Sequence, residues 1–367
     1  MRRALKQSRH IQSKTMQESN NTAQLFKIVD PLLHWYHENA RRLPWRENTD
    51  PYRVWVSEIM LQQTRVAAVI PYFLRFMEQL PSIEALANAP WDQLMKLWEG
   101  LGYYSRARNL QKAARVICEK YGGVFPDRYK DILSLPGIGP YTAGAVASIS
   151  FGQPVPAVDG NVLRVISRLL EWDADLTGEA EKKRVAALLV EIYPEGQCGD
   201  FTQALMELGA VVCTPGISPK CEACPIRSLC NAFAAGTQAS FPVIPPKKPR
   251  KMEEKTVFLL RCGDRVAVRR RDVGGLLGGL WEFPGTEGHL DSDAAEDWLK
   301  EHGIDFTEIS PGTKKKHIFT HIEWHMDCFL VLCKNTNPAF TWVTKQELEE
   351  KISLPTAFQK FLGELSL

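Results

Sequence analysis

The sequence predicts two folded domains of different class, an all-α domain followed by an α+β domain. A chain of 367 residues exceeds what one hydrophobic core usually supports. Apolar residues recur at helical spacing through residues 25–240, whereas short alternating apolar runs occupy residues 256–367. The segment 241–255 between them contains four prolines and a net charge of +3, which is typical of a linker.

The first domain is predicted to be a bundle of short helices separated by proline and glycine. Its predicted helical stretches are 25–36, 54–77, 94–101, 110–117, 141–151, 162–170, 185–192 and 201–212. In the second domain, strands are predicted at 257–262, 266–269, 318–332 and 340–343, with helices at 294–301 and 346–365. Mixing strands and helices in this way favours an α+β domain with a mixed sheet.

Composition excludes several classes of protein. A hydrophobic fraction of 44% and a charged fraction of 24% are ordinary for globular proteins. No apolar run reaches the ~18–20 residues that span a bilayer, so we expect no membrane partner. Nine unevenly spaced cysteines favour a reducing compartment, and we expect the bacterial cytosol and nucleoid.

Positive charge is concentrated in the first 24 residues and in the linker. Residues 1–24 carry a net charge of +4 and are predicted to be a disordered tail, whereas 25–240 and 256–367 carry −1 and −4. Basic segments of this kind can bind a polyanion, although solvent-exposed segments without a partner explain the charge equally well. A transit peptide is a further interpretation of the tail.

Four cysteines are clustered: Cys213, Cys221, Cys224 and Cys230 fall within eighteen residues. Four thiolates this close predict an iron–sulfur cluster or a zinc ion. Zinc ribbons usually carry two C-x-x-C pairs and this segment has one, so a [4Fe–4S] cluster is favoured. Cys198 is the alternative fourth ligand.

A glycine-rich turn at 135–143 reads LPGIGPYTA. Gly137 and Gly139 permit a tight turn between helices, and Pro140 suits the first turn of the helix that follows. The free N–H groups at such a helix start favour a phosphate. The segment is therefore interpreted as a helix–hairpin–helix, or else as a purely structural turn.

Two carboxylates are candidate catalytic groups. Asp159 precedes an amphipathic run, where it is either a helix cap or an anion kept ionised by the helix start. Glu58 has apolar neighbours at helical spacing, which should raise its pKa and make it a proton donor near neutral pH. A structural buried glutamate is the alternative.

Further segments complete a recognisable set: LPWR at 43–46, VSEIMLQQT at 56–64, GLGYYSR at 100–106, VDGN at 158–161 and GLWEFPG at 279–285. With the hairpin and the cysteines, they resemble MutY-type adenine DNA glycosylases of the helix–hairpin–helix superfamily, whose second domain is Nudix-like. The resemblance implies excision of adenine mispaired with 8-oxoguanine or guanine in double-stranded DNA. We expect the chain to act as a monomer.

The resemblance also implies roles for individual residues. Glu58 would protonate adenine N7, and Asp159 would stabilise the oxocarbenium-like sugar with help from Tyr141 and Asn161. Residues Trp45, Arg46 and Leu61 would line the adenine pocket; Gln63, Thr64, Leu101 and Tyr103 would wedge the duplex or contact 8-oxoguanine; and Phe319, Thr320 and His321 would form the lesion-contacting loop of the second domain.

The sequence departs from the family pattern at several points. Seven residues, not six, separate Cys213 from Cys221, and Thr320 stands where the family has serine. Lys300 occupies a metal-ligand position of the Nudix motif, so we expect lesion recognition without nucleotide hydrolysis. Tyr141 replaces the nucleophilic lysine of endonuclease III-like enzymes, which predicts a monofunctional glycosylase. A bifunctional lyase and a non-catalytic lesion-binding module are the alternatives.

Overall fold

The computed structural model describes residues 20–176, 178–246 and 249–365. The predicted tail 1–24 lies mostly outside the described residues, but residues 20–26 are helical, so the prediction of a disordered tail is wrong for residues 20–24. Gln24 anchors this start, because its side-chain amide donates to the carbonyl oxygens of Leu169 at 3.1 Å and Leu229 at 2.7 Å. Of the described helices, none is both long enough and apolar enough to cross a bilayer.

The helices follow one another in a long series. They are α1 Val29–Asn39, α2 Pro51–Leu61, α3 Val66–Gln79, α4 Ile83–Asn88, α5 Trp91–Trp98, α6 Ser105–Tyr121, α7 Tyr129–Leu133, α8 Pro140–Phe151, α9 Gly160–Leu170, α10 Glu179–Val190, α11 Cys198–Val211, α12 Asn231–Ala235, α13 Ser292–Glu301, α14 Lys345–Glu350 and α15 Thr356–Gln359. Short 3₁₀ turns occupy Pro44–Arg46, Cys221–Ala223 and Arg227–Leu229. The stretch predicted as one helix over 54–77 is two helices, because residues 62–65 form a turn.

The chain forms two compact units that interleave in sequence. One unit holds the described residues up to Ala87 together with Asn109–Pro246, and the other holds Asn88–Arg108 with the described residues after Pro246. Residues 88–108 thus differ from the sequence-based division, which assigned them to the first domain. Their grouping follows from contacts that residue spacing does not reveal: the Ser353 hydroxyl donates to the Met95 carbonyl at 3.0 Å, and Glu99 accepts from the Leu354 amide at 2.8 Å.

The core of the first unit is built by the apolar faces of α1, α9, α10 and α11. Leu32 on α1, Ile166 on α9 and Leu205 on α11 are fully or almost fully buried there. Burying such side chains contributes about 1.5–3 kcal/mol each and fixes how the helices pack. Helix α11 packs against both α8 and α9, and residues of these three helices supply much of the candidate site.

The second unit contains a mixed sheet. Its strands are β1 Lys251–Cys262, β2 Arg265–Arg270, β3 Trp281–Glu282, β4 Gly285–Glu287, β5 Phe306–Pro311, β6 Lys315–Ile318, β7 Ile322–Cys333 and β8 Thr341–Thr344. The order is β3-β2-β1-β7-β5, with β4 beside β1, β6 beside β7 and β8 beside β2. Strands β1 and β7 are parallel in register from Lys251↔Ile322 to Arg261↔Leu332, and the other pairs are antiparallel. The predicted α+β class with a mixed sheet is confirmed.

Both faces of β1 are buried, because its side chains alternate between two cores. Val257 and Leu259 contribute to one core, which contains α14 and α15 residues, and Phe258 and Leu260 contribute to the other, against α13. β1 begins at Lys251, within the segment predicted as linker, so the linker is shorter than predicted. The helix predicted over 346–365 is broken into α14 and α15 by Pro355.

Candidate active site

A polar pocket in the first unit brings together residues that are far apart in sequence. It has a volume of about 160 Å³. Its lining includes eight residues that the sequence analysis singled out: Trp45, Arg46, Glu58, Leu61, Thr64, Tyr141, Asp159 and Asn161. The two candidate catalytic carboxylates therefore face one cavity, with the predicted adenine-pocket residues around them.

Glu58 enters the pocket from α2. This helix begins at Pro51, and Asp50 caps it by accepting a hydrogen bond from the Tyr52 amide at 2.9 Å. Glu58 is 6% exposed. Burial raises the pKa of Glu58 to about 7; the hydrogen bond from Tyr141 and the charge of Arg46 lower it, and the charge of Asp159 raises it. The apolar surroundings and raised pKa predicted from helical spacing are confirmed.

Tyr141 lies at the second position of α8, immediately after Pro140. Its hydroxyl donates a hydrogen bond to Oε2 of Glu58 and lies 3.9 Å from Sδ of Met206. Burial raises the pKa of Tyr141 well above its ordinary value, and the charge of Glu58 acts in the same direction. The phenol is therefore a neutral donor throughout the physiological pH range.

Asp159 is both a helix cap and a pocket residue. Its Oδ1 accepts from the Val162 amide at 2.8 Å, which caps α9, and its Oδ2 accepts from Asn161 Nδ2 at 2.7 Å. The two interpretations of this residue are thus compatible. Contrary to the expectation that the helix start dominates, burial raises the pKa of Asp159, while the two hydrogen bonds lower it.

Sequence reasoning missed the contribution of α11 to the pocket. Gln203, Met206, Glu207 and Ala210 all line it, and their spacing of three, four and seven residues places them on one helix face. Polar residues on this face, on a helix whose other face is buried, could have indicated from the sequence that the helix contributes to a site. Glu207 has no exposed side-chain surface and holds two arginines, Arg41 and Arg46.

Asn161 is held in turn by Arg164, which sequence reasoning also missed. Arg164 Nη2 donates to Asn161 Oδ1 at 2.8 Å and to the Gly209 carbonyl at 2.7 Å, and its Nε donates to the Cys213 carbonyl at 2.8 Å. One guanidinium group thus connects the Asp159–Asn161 pair with the start of the cysteine segment. Gly209 leaves room for this approach, since a Cβ there would lie 2.6 Å from Asn161 Cβ.

The remaining predicted DNA-contacting residues of this unit lie at its surface. Gln63 is exposed in the turn after α2 with φ of 58°, a left-handed conformation that is unusual for a residue other than glycine. In the hairpin, Gly137 has φ of 75° and a Cβ there would lie 2.4 Å from Asn109 Cβ, so the turn requires glycine. Gly139 is the N-cap of α8. The predicted glycine-rich turn before a helix is confirmed.

The four clustered cysteines line one cavity between α9, α11 and the segment 213–230. Burial raises the pKa of the Cys224 thiol to about 12. Among the residues that the structure describes, no three His, Cys, Asp or Glu side chains come close enough together to hold a single metal ion. The buried Arg168 donates to Cys213 Sγ at 3.4 Å and to the carbonyls of Thr214 at 2.8 Å and Gly216 at 3.0 Å, which fixes the loop.

In the second unit, the predicted lesion-contacting residues Phe319, Thr320 and His321 form the turn between β6 and β7. The Phe319 amide donates to the Ile322 carbonyl at 2.8 Å, which closes the turn. Thr320 and His321 are exposed, whereas the Phe319 ring packs edge-on against Trp324 with centroids 4.8 Å apart. Two of the three side chains are therefore available to a ligand.

Residues 101–103 belong to this same unit. Leu101 is buried, whereas Tyr103 is 44% exposed and has a left-handed backbone with φ of 48°. The Tyr103 hydroxyl lies 2.7 Å from Thr320 Oγ1. The structure thus brings together Tyr103 and Thr320, two residues that the sequence analysis assigned to lesion contact for separate reasons.

The Nudix-like helix α13 carries the acidic residues that a metal-binding motif would use. Lys300 lies among them, with its Nζ 3.2 Å from Asp297 and 3.6 Å from Glu296. All three side chains are exposed.

Comparison with known proteins assigns a family to each unit. Residues 56–194 match the HhH-GPD superfamily of base excision DNA repair proteins, and residues 256–364 match the NUDIX domain. The chain is similar to solved structures of a thermostable thymine-DNA glycosylase (TM-score 0.51, 32% identity, 59% of this chain and 99% of that chain) and of endonuclease III trapped as a covalent intermediate with DNA (0.50, 26%, 59% and 98%).

Similarity to curated proteins extends over most of the chain. The human adenine DNA glycosylase is 32% identical over 406 residues, which cover 93% of this chain and 74% of the human protein. The adenine DNA glycosylase of Buchnera aphidicola subsp. Acyrthosiphon pisum is 33% identical, over 90% of this chain and 95% of that protein. Relatives that match across both units share this activity, and we conclude that the chain is a DNA glycosylase that belongs to the MutY-type adenine DNA glycosylase family.

Proposed function

We propose that this glycosylase hydrolyses the N-glycosidic bond of adenine mispaired with 8-oxoguanine, or with guanine, in double-stranded DNA. The observation that carries the proposal is the meeting of Glu58 and Asp159 at one cavity, with Tyr141 and Asn161 hydrogen-bonded to them. A base within a duplex cannot reach such a cavity, so the adenine must be flipped out at a cost of a few kcal/mol, and a mispair lowers that cost.

Glu58 acts as the general acid. A pKa near 7 leaves much of its population protonated at neutral pH, and the proton passes to N7 of the flipped adenine. Protonation makes the base a better leaving group, so the bond between N9 and C1′ breaks with both electrons moving to adenine. Tyr141 holds Oε2 of Glu58 by its hydrogen bond, which directs the other oxygen of the carboxyl group toward the base.

Asp159 stabilises the positive charge that develops on the sugar as adenine departs, electrostatically or by transient covalent capture of C1′. The hydrogen bonds from the Val162 amide and Asn161 favour the ionised form that this role requires. Water then adds to C1′ and releases its proton, which gives an abasic site and free adenine. Trp45, Arg46 and Leu61 line the cavity where the base would sit.

DNA would be held by exposed features of each unit. Phosphate would bind at the N-terminal end of α8, beside Gly137 and Gly139, where backbone N–H groups are free of helical partners. Gln63, Thr64, Leu101 and Tyr103 would wedge the duplex or contact the base opposite adenine, and Leu101, which is buried in this structure, would have to become exposed to do so. The left-handed backbone of Gln63 and Tyr103 supports this assignment, because strained conformations concentrate at functional sites.

The turn between β6 and β7 would recognise 8-oxoguanine. Thr320 keeps the hydroxyl of the serine that the family carries, and its hydrogen bond to Tyr103 supports a shared contact with the lesion. Helix α13 would hydrolyse no nucleotide, since the ammonium group of Lys300 pairs with the carboxylates that a magnesium ion would need.

The enzyme would be monofunctional. A glycosylase that also cleaves the strand uses an amine to form a Schiff base with C1′, and the hydroxyl of Tyr141 cannot form one. We propose that the enzyme acts as a monomer on chromosomal DNA in the cytosol.

Cys213, Cys221, Cys224 and Cys230 would bind a [4Fe–4S] cluster. The four thiols line one cavity, and their spacing is that of the family apart from one extra residue in a loop that contains Gly216 and two prolines. The neighbouring side chains fit a negatively charged group, because Arg168 reaches Cys213 Sγ and Gln238 Nε2 lies 3.9 Å from Cys221 Sγ. When bound, the cluster would cross-link the segment 213–230. Base excision as proposed includes no step at the cluster.

The experiment that tests this function is base release from a panel of duplexes. Equal duplexes carrying A opposite 8-oxoguanine, A opposite G, A opposite T and thymine glycol opposite A are incubated with the enzyme and then treated with alkali or left untreated. We expect strand cleavage after alkali for the first two duplexes and none without alkali. Efficient borohydride trapping of a protein–DNA adduct would instead identify a lyase, and release of no adenine would refute the proposal.

A further inference from the structure

Two arginines at the wall of the active-site pocket share one buried carboxylate, that of Glu207. Arg41 Nε lies 2.6 Å from Glu207 Oε1, and Arg41 Nη2 lies 2.9 Å from Oε2. Arg46 Nη2 also donates to Oε2, at 2.9 Å, and the backbone amide of Arg41 donates to Oε1 at 3.3 Å. All three side chains line the same cavity as Glu58.

Glu207 has no exposed side-chain surface, whereas the side chain of Arg41 is 37% exposed and that of Arg46 is 15% exposed, so water screens the pair with Arg41 more than the pair with Arg46. The hydrogen bonds and charges of Arg41 and Arg46 outweigh burial and lower the pKa of Glu207. Glu207 is therefore an anion over the working pH range, and it offsets one of the two positive charges at this wall.

The positive charge that Glu207 does not offset affects the pKa of Glu58. Five charged or titratable groups line the pocket with Glu58: Tyr141 on α8, Asp159 at the start of α9, Glu207 on α11, and its partners Arg41 and Arg46. Arg46 lowers the pKa of Glu58, whereas Asp159 and burial raise it. A cation at this wall that lost its own carboxylate would favour the ionised form of Glu58 more strongly.

We propose that Glu207 is a positioning residue that fixes Arg41 and Arg46 at the pocket wall and limits the electrostatic effect of Arg46 on Glu58. In this way it sets the upper pH limit of base excision. The inference rests on the proposed role of Glu58 as proton donor. Glu207 itself transfers no proton and stays behind the guanidinium groups.

The geometry explains why a carboxylate is needed. Two guanidinium groups approach Glu207 with several donors, and only an ionised carboxylate offers acceptors on both oxygens. Glutamine at position 207 would offer an acceptor on only one of its two terminal side-chain atoms. Its amide N–H groups would face one of the two arginines. Besides Glu207, the described carboxylates that line the pocket are Glu58 and Asp159, and Asp159 already caps α9, so the charge of Arg46 would act more strongly on Glu58.

The test measures the pH dependence of single-turnover adenine release from an A:8-oxoguanine duplex. Wild type is compared with Glu207→Gln, Glu207→Asp, Arg46→Gln and the double variant Glu207→Gln/Arg46→Gln. Glu181→Gln is the matched control, because Glu181 also pairs with an arginine, Arg184 at 3.1 Å, on the same unit but outside the pocket. Circular dichroism and thermal melting of each variant monitor folding.

We expect the upper pH midpoint of Glu207→Gln to fall by about one pH unit, with a rate about tenfold lower above both midpoints. Glu207→Asp should recover part of the shift, and removal of Arg46 should move the midpoint upward, alone and in the double variant. Glu181→Gln should match wild type. Arg46→Gln retains Glu207, so this variant tests the electrostatic effect of Arg46 on Glu58 even if Glu207→Gln does not fold.

Two failures can be told apart. If Glu58→Gln abolishes release but Glu207→Gln and Arg46→Gln keep the wild-type midpoint, the role of Glu207 is wrong and that of Glu58 stands. If Glu58→Gln retains full activity, the proposed function of Glu58 fails first, and the inference about Glu207 fails with it.

Discussion

The hydroxyl of Tyr141 donates a hydrogen bond to the carboxyl group of Glu58, across the pocket from α8 to α2. The two residues are 83 positions apart in sequence; Glu58 is buried and Tyr141 is half-buried. The bond opposes the effect of burial on Glu58, because it favours the ionised carboxylate. A phenol that cannot itself ionise near neutral pH therefore partly offsets the upward shift that burial causes in the pKa of the proposed proton donor.

Replacement of Tyr141 by phenylalanine tests this relationship. Loss of the hydrogen bond should raise the pKa of Glu58 further, so adenine release should persist to higher pH than in wild type. The measurement is the upper midpoint of the single-turnover rate against pH. Tyr193→Phe is the control, since the Tyr193 hydroxyl is also buried and lies 2.9 Å from Thr202 Oγ1 but does not line the pocket. An unchanged midpoint in Tyr141→Phe would contradict the coupling.

The raised pKa of Glu58 also predicts a pH-dependent stability. Glu58 is protonated in the folded protein below about pH 7, whereas the unfolded chain ionises it from pH 4.5, so folded stability falls as pH rises through this window. Glu58→Gln removes the titration and should stabilise the protein at pH 8 by up to about 3 kcal/mol, with no comparable gain below pH 4.5. Denaturant melts at the two pH values measure the difference.

The control for stability is Glu181→Gln, which removes a carboxylate paired with Arg184 on the same unit. It should give no gain at either pH. Equal melting of wild type and Glu58→Gln at pH 8 would show that the folded protein carries an ionised Glu58 without cost, which contradicts a pKa raised by burial.

Thr320 should contribute to the choice between 8-oxoguanine and guanine. Thr320→Ser keeps the hydroxyl and the hydrogen bond to Tyr103, so the ratio of adenine release from A:8-oxoguanine and A:G duplexes should stay within twofold of wild type. Thr320→Val removes one hydrogen bond and should reduce the ratio by about 2–10-fold. Thr307→Val, on β5 of the same unit, is the control and should leave the ratio unchanged.

The four cysteines should be required for a bound iron–sulfur cluster. Cys224→Ser should remove the brown colour and the iron and sulfide content of the purified protein and should lower its melting temperature. Cys198 is buried with its Sγ 3.2 Å from the Pro194 carbonyl and does not line the cysteine cavity, so Cys198→Ser should retain the cluster. Stoichiometric zinc without sulfide in the wild-type protein would overturn the assignment.

Much of the pocket was predictable because local spacing determines it. Three of the four neighbours of Glu58 at three and four positions are apolar, and α2 buries Val54 and Trp55 among them. The sequence before α9 likewise indicated that Asp159 would cap a helix, which its bond to the Val162 amide confirms.

Spacing could not predict contacts between distant segments. Arg41 and Glu207 pair across 166 positions, and residues 88–108 join the second unit through contacts more than 250 positions apart in sequence. Spacing likewise did not predict that burial raises the pKa of Asp159, because burial depends on what α8 and α11 place around the helix start. Local patterns fix helix ends and faces, whereas desolvation is a property of the assembled unit.

Single-turnover kinetics of wild type, Glu58→Gln and Asp159→Asn on an A:8-oxoguanine duplex test the central claim most directly. Positioned acid catalysis contributes about 10²–10⁴-fold, so Glu58→Gln should slow adenine release by at least that lower factor, and Asp159→Asn should do so without loss of DNA binding. Release by either variant at the wild-type rate, with the fold intact, would contradict catalysis by this pair of carboxyl groups.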